Sequence, residues 1–542
     1  MAAVQDAEGW PWWRGAAIYQ IYPRSFQDSN GDGVGDLQGI TQRLPYVADL
    51  GVDAIWISPF FTSPMRDFGY DISDFCGVDP IFGTLADFDA LVAQAHRLGL
   101  KVLIDQVYAH SSDLHPWFAE SRNSTANLRA DWYVWADPGQ DGTPPNNWQS
   151  VFGGPAWTWD ARRGQYYLHT FLKEQPQLNL HKLEVQDALL EVGRFWLERG
   201  VDGFRLDALN HGMADPALRD NPAAPADDGK RRSRPFDFQI RLHSQSQPEM
   251  VYFAERIRGL ADRYGAIFTM AEIGGDNASE EMKAFTLGNH RLNSAYGFDF
   301  LYSPELTPGL VASAMQEWPG DAGEGWPSWA FENHDAPRAV SRWHAGDSAA
   351  RFARMKLALL LSLRGNPILY QGEELGLEQD EIPFERLRDP EAIANWPLTL
   401  SRDGARTPFP WTDHPLAGFT TGEPWLPVGA GNRGRAAGLQ QGDPHSTLAT
   451  ARSLLALRKA APELRYGGFE LLHATGELLV FRRSLGQRQI LCAFNFGSAD
   501  AAIEYWAADC TALISVNGAT GRVLPALSAW IGEEASRTGP SG

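Results

Sequence analysis

Four short runs end in groups able to move protons: "DQVYAH" with Asp105 and His110, "GFRLDALNH" with Arg205 and Asp207, "MAEIGG" with Glu272, and "FENHD" with His334 and Asp335. A carboxylate taken alone is more often a solvated surface group or a helix cap than a catalyst. Four clusters, each closing an apolar run, form a different pattern. Cleaving a glycosidic bond takes one carboxylic acid to protonate the leaving oxygen and one carboxylate to stabilise or capture the oxocarbenium-like carbon. These clusters supply both. Alternate residues of a strand share a side, so Arg205 can hold Asp207 ionised and aimed.

The elements that must position these groups are legible as short apolar runs followed by helix-like stretches: "AAIYQIYPRSF", "GVDAIWISPFF", "KVLIDQVYAH", "GVDGFRLDALNH", "IFTMAEIGG", "PSWAFENHD" and "NPILYQGEE". This alternation predicts buried parallel strands joined by crossovers. "LADFDALVAQAHRLGL" and "VQDALLEVGRFWLERG" read as amphipathic helices, each closed by a Gly. Such units, eight in number, close into an α/β (β/α)8 TIM barrel with catalytic groups where strands end. The stretch from Asp105 to Asp207 far exceeds one strand-helix unit of roughly 30 residues. Residues 110–178, rich in Trp, Gly, Pro and Asn, therefore read as an irregular subdomain inserted after strand 3, within a barrel of residues 1–109 and 179–454. A second excess, residues 216–250, overhangs the same barrel face. From 455 to 535 the runs "FELLHA", "ELLVFRR", "QILCAFNF" and "CTALISV" predict a C-terminal antiparallel β-sandwich, and 536–542 a disordered tail.

Forty-seven basic against 67 acidic residues leave a net charge of -20, which repels nucleic acid and anionic membranes and favours a neutral ligand. The 20 Trp, 28 Phe and 15 Tyr are many for a chain of this size; sugar-handling clefts use such rings as stacking platforms, although most of them are expected in the core. The N-terminus lacks the basic-then-apolar order of a signal peptide, and no run of about 18 apolar residues follows. The expectation is a cytoplasmic enzyme, monomer or homodimer. Cys76, Cys492 and Cys510 are too scattered for a disulfide framework or zinc site and are expected to be buried thiols.

"QDSNGDGVGDLQGI" (27–40) sets Asp28, Asn30, Asp32 and Asp36 at ligand positions of an EF-hand-like loop, with Gly33 at the turn and the Val34 carbonyl available. Gly39 stands where the closing bidentate Glu belongs, so a calcium switch is excluded. Hard-cation binding is retained, and an Asx-rich turn without an ion is the alternative.

The four strand-end clusters resemble, in order, the four sequence regions of glycoside hydrolase family 13, the α-amylase superfamily. "RDFGYDISDF", "QPQLNL", "ARTPFPW" and "LYQGEELG" resemble landmarks of its α-glucosidase and oligo-1,6-glucosidase branch. The resemblance implies Asp207 as nucleophile, Glu272 as general acid/base and Asp335 as the carboxylate gripping substrate hydroxyls. It places His110 and His334 on sugar hydroxyls, Arg205 beside the nucleophile, Asp105 as support, and Phe152 at the substrate. It assigns Asp67 and Arg406 to the non-reducing end, with Tyr70 stacking on the ring, so that a blind pocket admits one glucose.

Ala208 occupies the place where the branch carries Val for α-1,6 bonds and Ala or Thr for α-1,4 bonds, which implies α-1,4 preference. A structural Ca2+, or Mg2+, in the Asp28–Asp36 loop is also implied. The chain departs from the branch at Gln177, Phe68, Ala109 and "GARTPFPW", all bordering the pocket. The implied activity is a retaining α-glucosidase that releases terminal glucose from short saccharides and transfers it to hydroxyl acceptors. The alternatives are a glucosyltransferase, a sucrose isomerase or an oligo-1,6-glucosidase on the same scaffold. An inactive transporter heavy chain would carry a membrane span and lack catalytic carboxylates.

Overall fold

The computed structural model describes residues 9–226, 232–318, 325–344 and 346–535; the expected 536–542 tail lies outside them. Eight parallel strands close a barrel: β1 (Ile18–Ile21), β2 (Ala54–Ile57), β3 (Lys101–Gln106), β4 (Gly203–Leu206), β5 (Phe268–Glu272), β6 (Ser294–Tyr296), β7 (Trp326–Ala330) and β8 (Asn366–Tyr370). Each strand pairs with its sequence neighbours, and β8 returns to β1. Ile18, Trp56, Leu103, Phe268, Met270 and Ile368 fill the interior with apolar side chains, so the barrel is a packed core.

The two expected helices form. α1 (Leu85–Arg97) starts at a capping box in which Thr84 and Asp87 satisfy each other's backbone N–H groups, and α2 (Leu183–Glu198) packs in the same outer layer. Gly99 and Gly200 follow their ends in left-handed backbone, at φ 78° and 91°, where a Cβ would be strained.

Seven apolar runs foretold seven strands; β6 is the eighth. "SAY" is too short and too polar to show an apolar run. It is held by Ser294, whose hydroxyl lies 2.6 Å from the Trp326 carbonyl and 2.7 Å from the Ser328 hydroxyl.

The insertion after β3 is mostly loop but carries a helix, Pro116–Asn123, and a three-stranded sheet of Trp135–Ala136, Gln165–Leu168 and Trp157–Asp160. The C-terminal sheet begins only at Gly468, because Thr447–Ala460 and Pro462–Tyr466 are helical. Its order is Gly468–Thr475, Leu478–Leu485, Arg488–Asn495, Ser528–Glu534, Cys510–Val516. Ser528–Glu534 shows no alternation because it lies inside the sheet with its first five residues buried, which hides a strand from period-2 reading. Cys492 is buried as expected, whereas Cys76 and Cys510 are only half-buried. Among the described residues no helix is long and apolar enough to cross a membrane.

Candidate active site

Strand register brings the charged groups together. Asp105 on β3 pairs with Arg205 on β4, and Glu272 on β5 pairs with Tyr296 on β6. The fully buried Arg205 then serves three carboxylates: Nη1 donates to Asp105 Oδ1 at 2.6 Å and Asp207 Oδ1 at 2.5 Å, and Nη2 lies 2.7 Å from Glu272 Oε1. Tyr296 was absent from the sequence reading because its strand was. Its hydroxyl accepts from Arg205 Nε and Nη2 at 3.1 and 2.9 Å and donates to Glu272 Oε1 at 3.0 Å. Asp105 is fixed from behind by Trp56 Nε1 at 2.9 Å.

A cavity of about 520 Å³ lies at the strand ends and is lined by Asp207, Glu272 and Asp335 together. Asp67, Tyr70, His110, Phe152 and Ala208 line it as well. One guanidinium cannot neutralise three carboxylates. Burial raises Glu272 to about 7 and Asp207 in the same direction, while Arg205 opposes both shifts. Because Glu272 Oε1 receives Arg205 and Tyr296, the acid proton belongs on Oε2. Asp335 behaves oppositely: burial works against its charge, yet the Arg406 and Arg402 guanidinium groups hold it well below the carboxylate range. Burial takes His334 down to about 3 and His110 to about 4, so both rings are neutral and the guanidinium groups supply the positive charge.

Three expected contacts differ. Arg406 does not reach the cavity. Its Nη2 donates to Asp335 Oδ1 at 2.5 Å and its Nε to the His334 carbonyl at 2.7 Å, while Tyr22 and Phe68 cover its guanidinium at 5.4 and 5.7 Å. Phe68, one of the departures from the branch pattern, thus walls Arg406 off. Arg402, four residues earlier in "SRDGARTPFPW", takes the expected place: it lines the cavity and donates to Asp67 at 3.0 Å, Asp335 at 3.2 Å and Asp389 at 2.8 Å. The resemblance assigns Arg406 alone to this role, and Arg402 is not foreseen by it.

His334 is fully buried and lies behind the cavity lining, with Nδ1 at 2.8 Å from Gln20 Nε2 and Nε2 at 2.6 Å from the Tyr70 hydroxyl. The Tyr70 ring stacks on His334 at 5.4 Å and 9°. Arg205 and Asp105 are likewise wall groups behind the surface. Gln175, unforeseen, joins Asp67 and His110 at 3.2 and 3.1 Å. Gln177, another departure, is buried and reaches the His211 carbonyl at 3.0 Å.

In the aspartate-rich loop Asp28, Asn30 and Asp32 form successive Asx turns, accepting from the N–H groups of Asn30, Asp32 and Val34 at 2.9, 2.9 and 2.8 Å. Asp36 caps helix Leu37–Leu50 through Gly39 N–H at 2.6 Å, and Asp28 also accepts from Thr420. Among the described residues no group of three or more His, Cys, Asp or Glu side chains is placed to hold a metal ion. The donor types, all oxygen, fit a hard cation.

The model of the α-amylase catalytic domain matches residues 20–467. A probable α-glucosidase of Rhizobium meliloti (strain 1021) is 53% identical over 500 residues, 91% of each chain. An oligo-1,6-glucosidase of Parageobacillus thermoglucosidasius is 36% identical over 516 residues, 90% of each. Among solved structures, an α-glucosyl transfer enzyme, XgtA, superposes with a TM-score of 0.93 at 50% identity, covering 97% of this chain and 100% of that one. The trehalulose synthase MutB of Pseudomonas mesoacidophila MX-45 superposes with 0.89 at 32% identity, with the same coverage. A closed barrel ending in these carboxylates, matched along nearly its whole length, makes this chain a member of the α-amylase family and a glycoside hydrolase with glucosyl transfer.

Proposed function

We propose that the protein is a retaining, exo-acting α-glucosidase that removes terminal α-1,4-linked glucose from short saccharides and passes it to water or another hydroxyl. The observation that carries this reading is the convergence of Asp207, Glu272 and Asp335 on one cavity, with Arg205 bridging the first two. Asp207 attacks the anomeric carbon and forms a β-glucosyl ester while Glu272 gives its proton to the leaving oxygen. Glu272, now a carboxylate, takes a proton from the incoming hydroxyl that opens the ester. Asp335, kept anionic, grips sugar hydroxyls. The buried Asp67–Arg402 pair closes the cavity around a non-reducing end. The rings of Phe152, Phe171, Phe236, Phe298 and Tyr302, which line the same cavity, favour transfer, since apolar surroundings reduce the water competing for the ester. Turnover of maltose, isomaltose, sucrose, trehalose and maltotriose, with product analysis in the presence of an alcohol, tests the reading; absence of any glucose release would refute it.

Linkage preference rests on Ala208. It lines the cavity directly after Asp207 and is held in left-handed backbone at φ 39° and ψ 42°. A β-branched side chain is strained there and adds bulk against the bond to be cut. Ala208→Val is expected to shift the maltose-to-isomaltose ratio of kcat/KM toward isomaltose by roughly 10-fold or more. Isomaltose turned over as well as maltose by the unmodified enzyme would refute the preference.

The cation belongs to the same proposal. Asp28, Asn30, Asp32, the Val34 carbonyl and Asp36 would hold Ca2+ or Mg2+, which supplies charge neutralisation to a loop already tied by hydrogen bonds. Chelation is expected to lower Tm while leaving initial rates on a fresh sample unchanged. Elemental analysis finding no bound metal would refute it. A cytoplasmic setting, where the three free thiols stay reduced, completes the reading.

A further inference from the structure

Within the 216–250 segment, residues between 233 and 245 border the catalytic cavity, while Asn221, Ala223 and residues between 232 and 239 border a separate recess of about 660 Å³. That volume lies within the roughly 300–1,000 Å³ typical of ligand sites. The recess shares Ser233, Arg234 and Leu398 with the catalytic cavity but contains none of its carboxylates. Four carboxamide side chains line it, those of Asn147, Gln149, Asn221 and Gln239, beside the ring of Phe238, which is 57% exposed.

These groups are arranged in two tiers. Asn147 and Asn221 brace each other: Asn147 Nδ2 donates to the Asn221 carbonyl at 2.9 Å, and Asn221 N–H donates to Asn147 Oδ1 at 2.8 Å. Gln149 and Gln239 each spend one N–H on the Asn147 carbonyl, at 3.0 and 2.8 Å. Each of these two amides keeps a second N–H and an oxygen for a ligand. Planar groups that both donate and accept, next to an open aromatic face, match the hydroxyls and the C–H face of a pyranose.

Charge narrows the ligand further. Among the described residues no acidic side chain lines the recess. Arg232 and Arg234 line it: Arg232 spends Nε on the Asp237 carbonyl at 3.0 Å and Nη2 on the Pro225 carbonyl at 2.6 Å, and Arg234 is neutralised by Asp237 at 3.0 Å and Glu391 at 2.9 Å, while the whole protein carries a net charge of -20, which works against an anion. Arg234 also donates to the Val151 carbonyl at 3.2 Å, so it stands pinned as the partition between the two cavities.

We propose that this recess is a second binding site for a neutral saccharide, separated from the catalytic cavity by Arg234. Only the choice of α-linked glucose units as ligand rests on the glucosidase reading. The test is calorimetric titration of the full chain with maltotriose while the catalytic cavity is saturated with the iminosugar 1-deoxynojirimycin. A weak site is expected to remain. Phe238→Ala and Gln239→Leu are each expected to weaken it about tenfold, the loss of one stacking or hydrogen-bonding contact. Hydrolysis of an aryl α-glucoside by both variants is expected to equal that of wild type, because neither residue lines the catalytic cavity. If one variant fails to fold, Gln149→Leu provides the same reading. Loss of all maltotriose binding under the inhibitor, or binding unaltered by the substitutions, would overturn the proposal. Failure of the glucosidase reading would show separately, as a wild-type chain that hydrolyses no aryl α-glucoside.

Discussion

Asp207→Asn is expected to reduce hydrolysis of maltose and of aryl α-glucosides by a factor on the order of 10⁴ or more, the cost of removing a covalent nucleophile. The substitution keeps volume and one hydrogen-bond acceptor for Arg205, so the fold should persist with a Tm close to wild type. The carboxamide cannot form the glucosyl ester, and no neighbour can replace it. Asp105 is fully buried and held by Trp56 and Arg205, while Asp335 is engaged by Arg402 and Arg406. Undiminished hydrolysis by Asp207→Asn would exclude the assignment.

Glu272→Gln is expected to cost about 10²- to 10⁴-fold in kcat/KM on maltose, the usual worth of a positioned general acid. The loss should be smaller on an aryl glucoside, whose leaving oxygen departs without a proton. The pH profile gives an independent reading. Glu272 must hold its proton in the free enzyme, and burial sets that proton's loss at about 7. Maltose kcat/KM should therefore fall as pH rises through about 7. The Tyr296 hydrogen bond favours the ionised form, so Tyr296→Phe should move that limb to higher pH. A limb that stays in place in Tyr296→Phe would separate Tyr296 from proton control.

The barrel was legible because seven of its strands are continuous apolar runs ending in charged groups, and two of its crossover helices carry a clear 3.6-residue period. β6 was not, because three residues cannot display a period, and with it went Tyr296, whose hydroxyl joins Arg205 to Glu272. The inner strand Ser528–Glu534, next to the edge strand Cys510–Val516, was lost for the opposite reason: burial on both faces removes alternation. At the site, the family resemblance pointed to Asp207, Glu272 and Asp335 and to Asp67, His110 and Phe152, all of which line the cavity. They could not show that His334 and Arg406 sit behind that surface, since depth is set by what packs in front. Phe68 and Tyr70 do that packing. Arg402 and the Arg234 partition depend on segments far apart in the chain meeting, which no local pattern encodes.

The central claim is a covalent β-glucosyl ester on Asp207. It is tested most directly by trapping that ester with 5-fluoro-α-glucosyl fluoride and sequencing the modified peptide by mass spectrometry. The account predicts one added fluoroglucosyl group, carried by Asp207 in the peptide containing "GFRLDALNH" and absent in Asp207→Asn. A label on a different residue, or turnover without any covalent adduct and with inversion at the anomeric carbon, would contradict it.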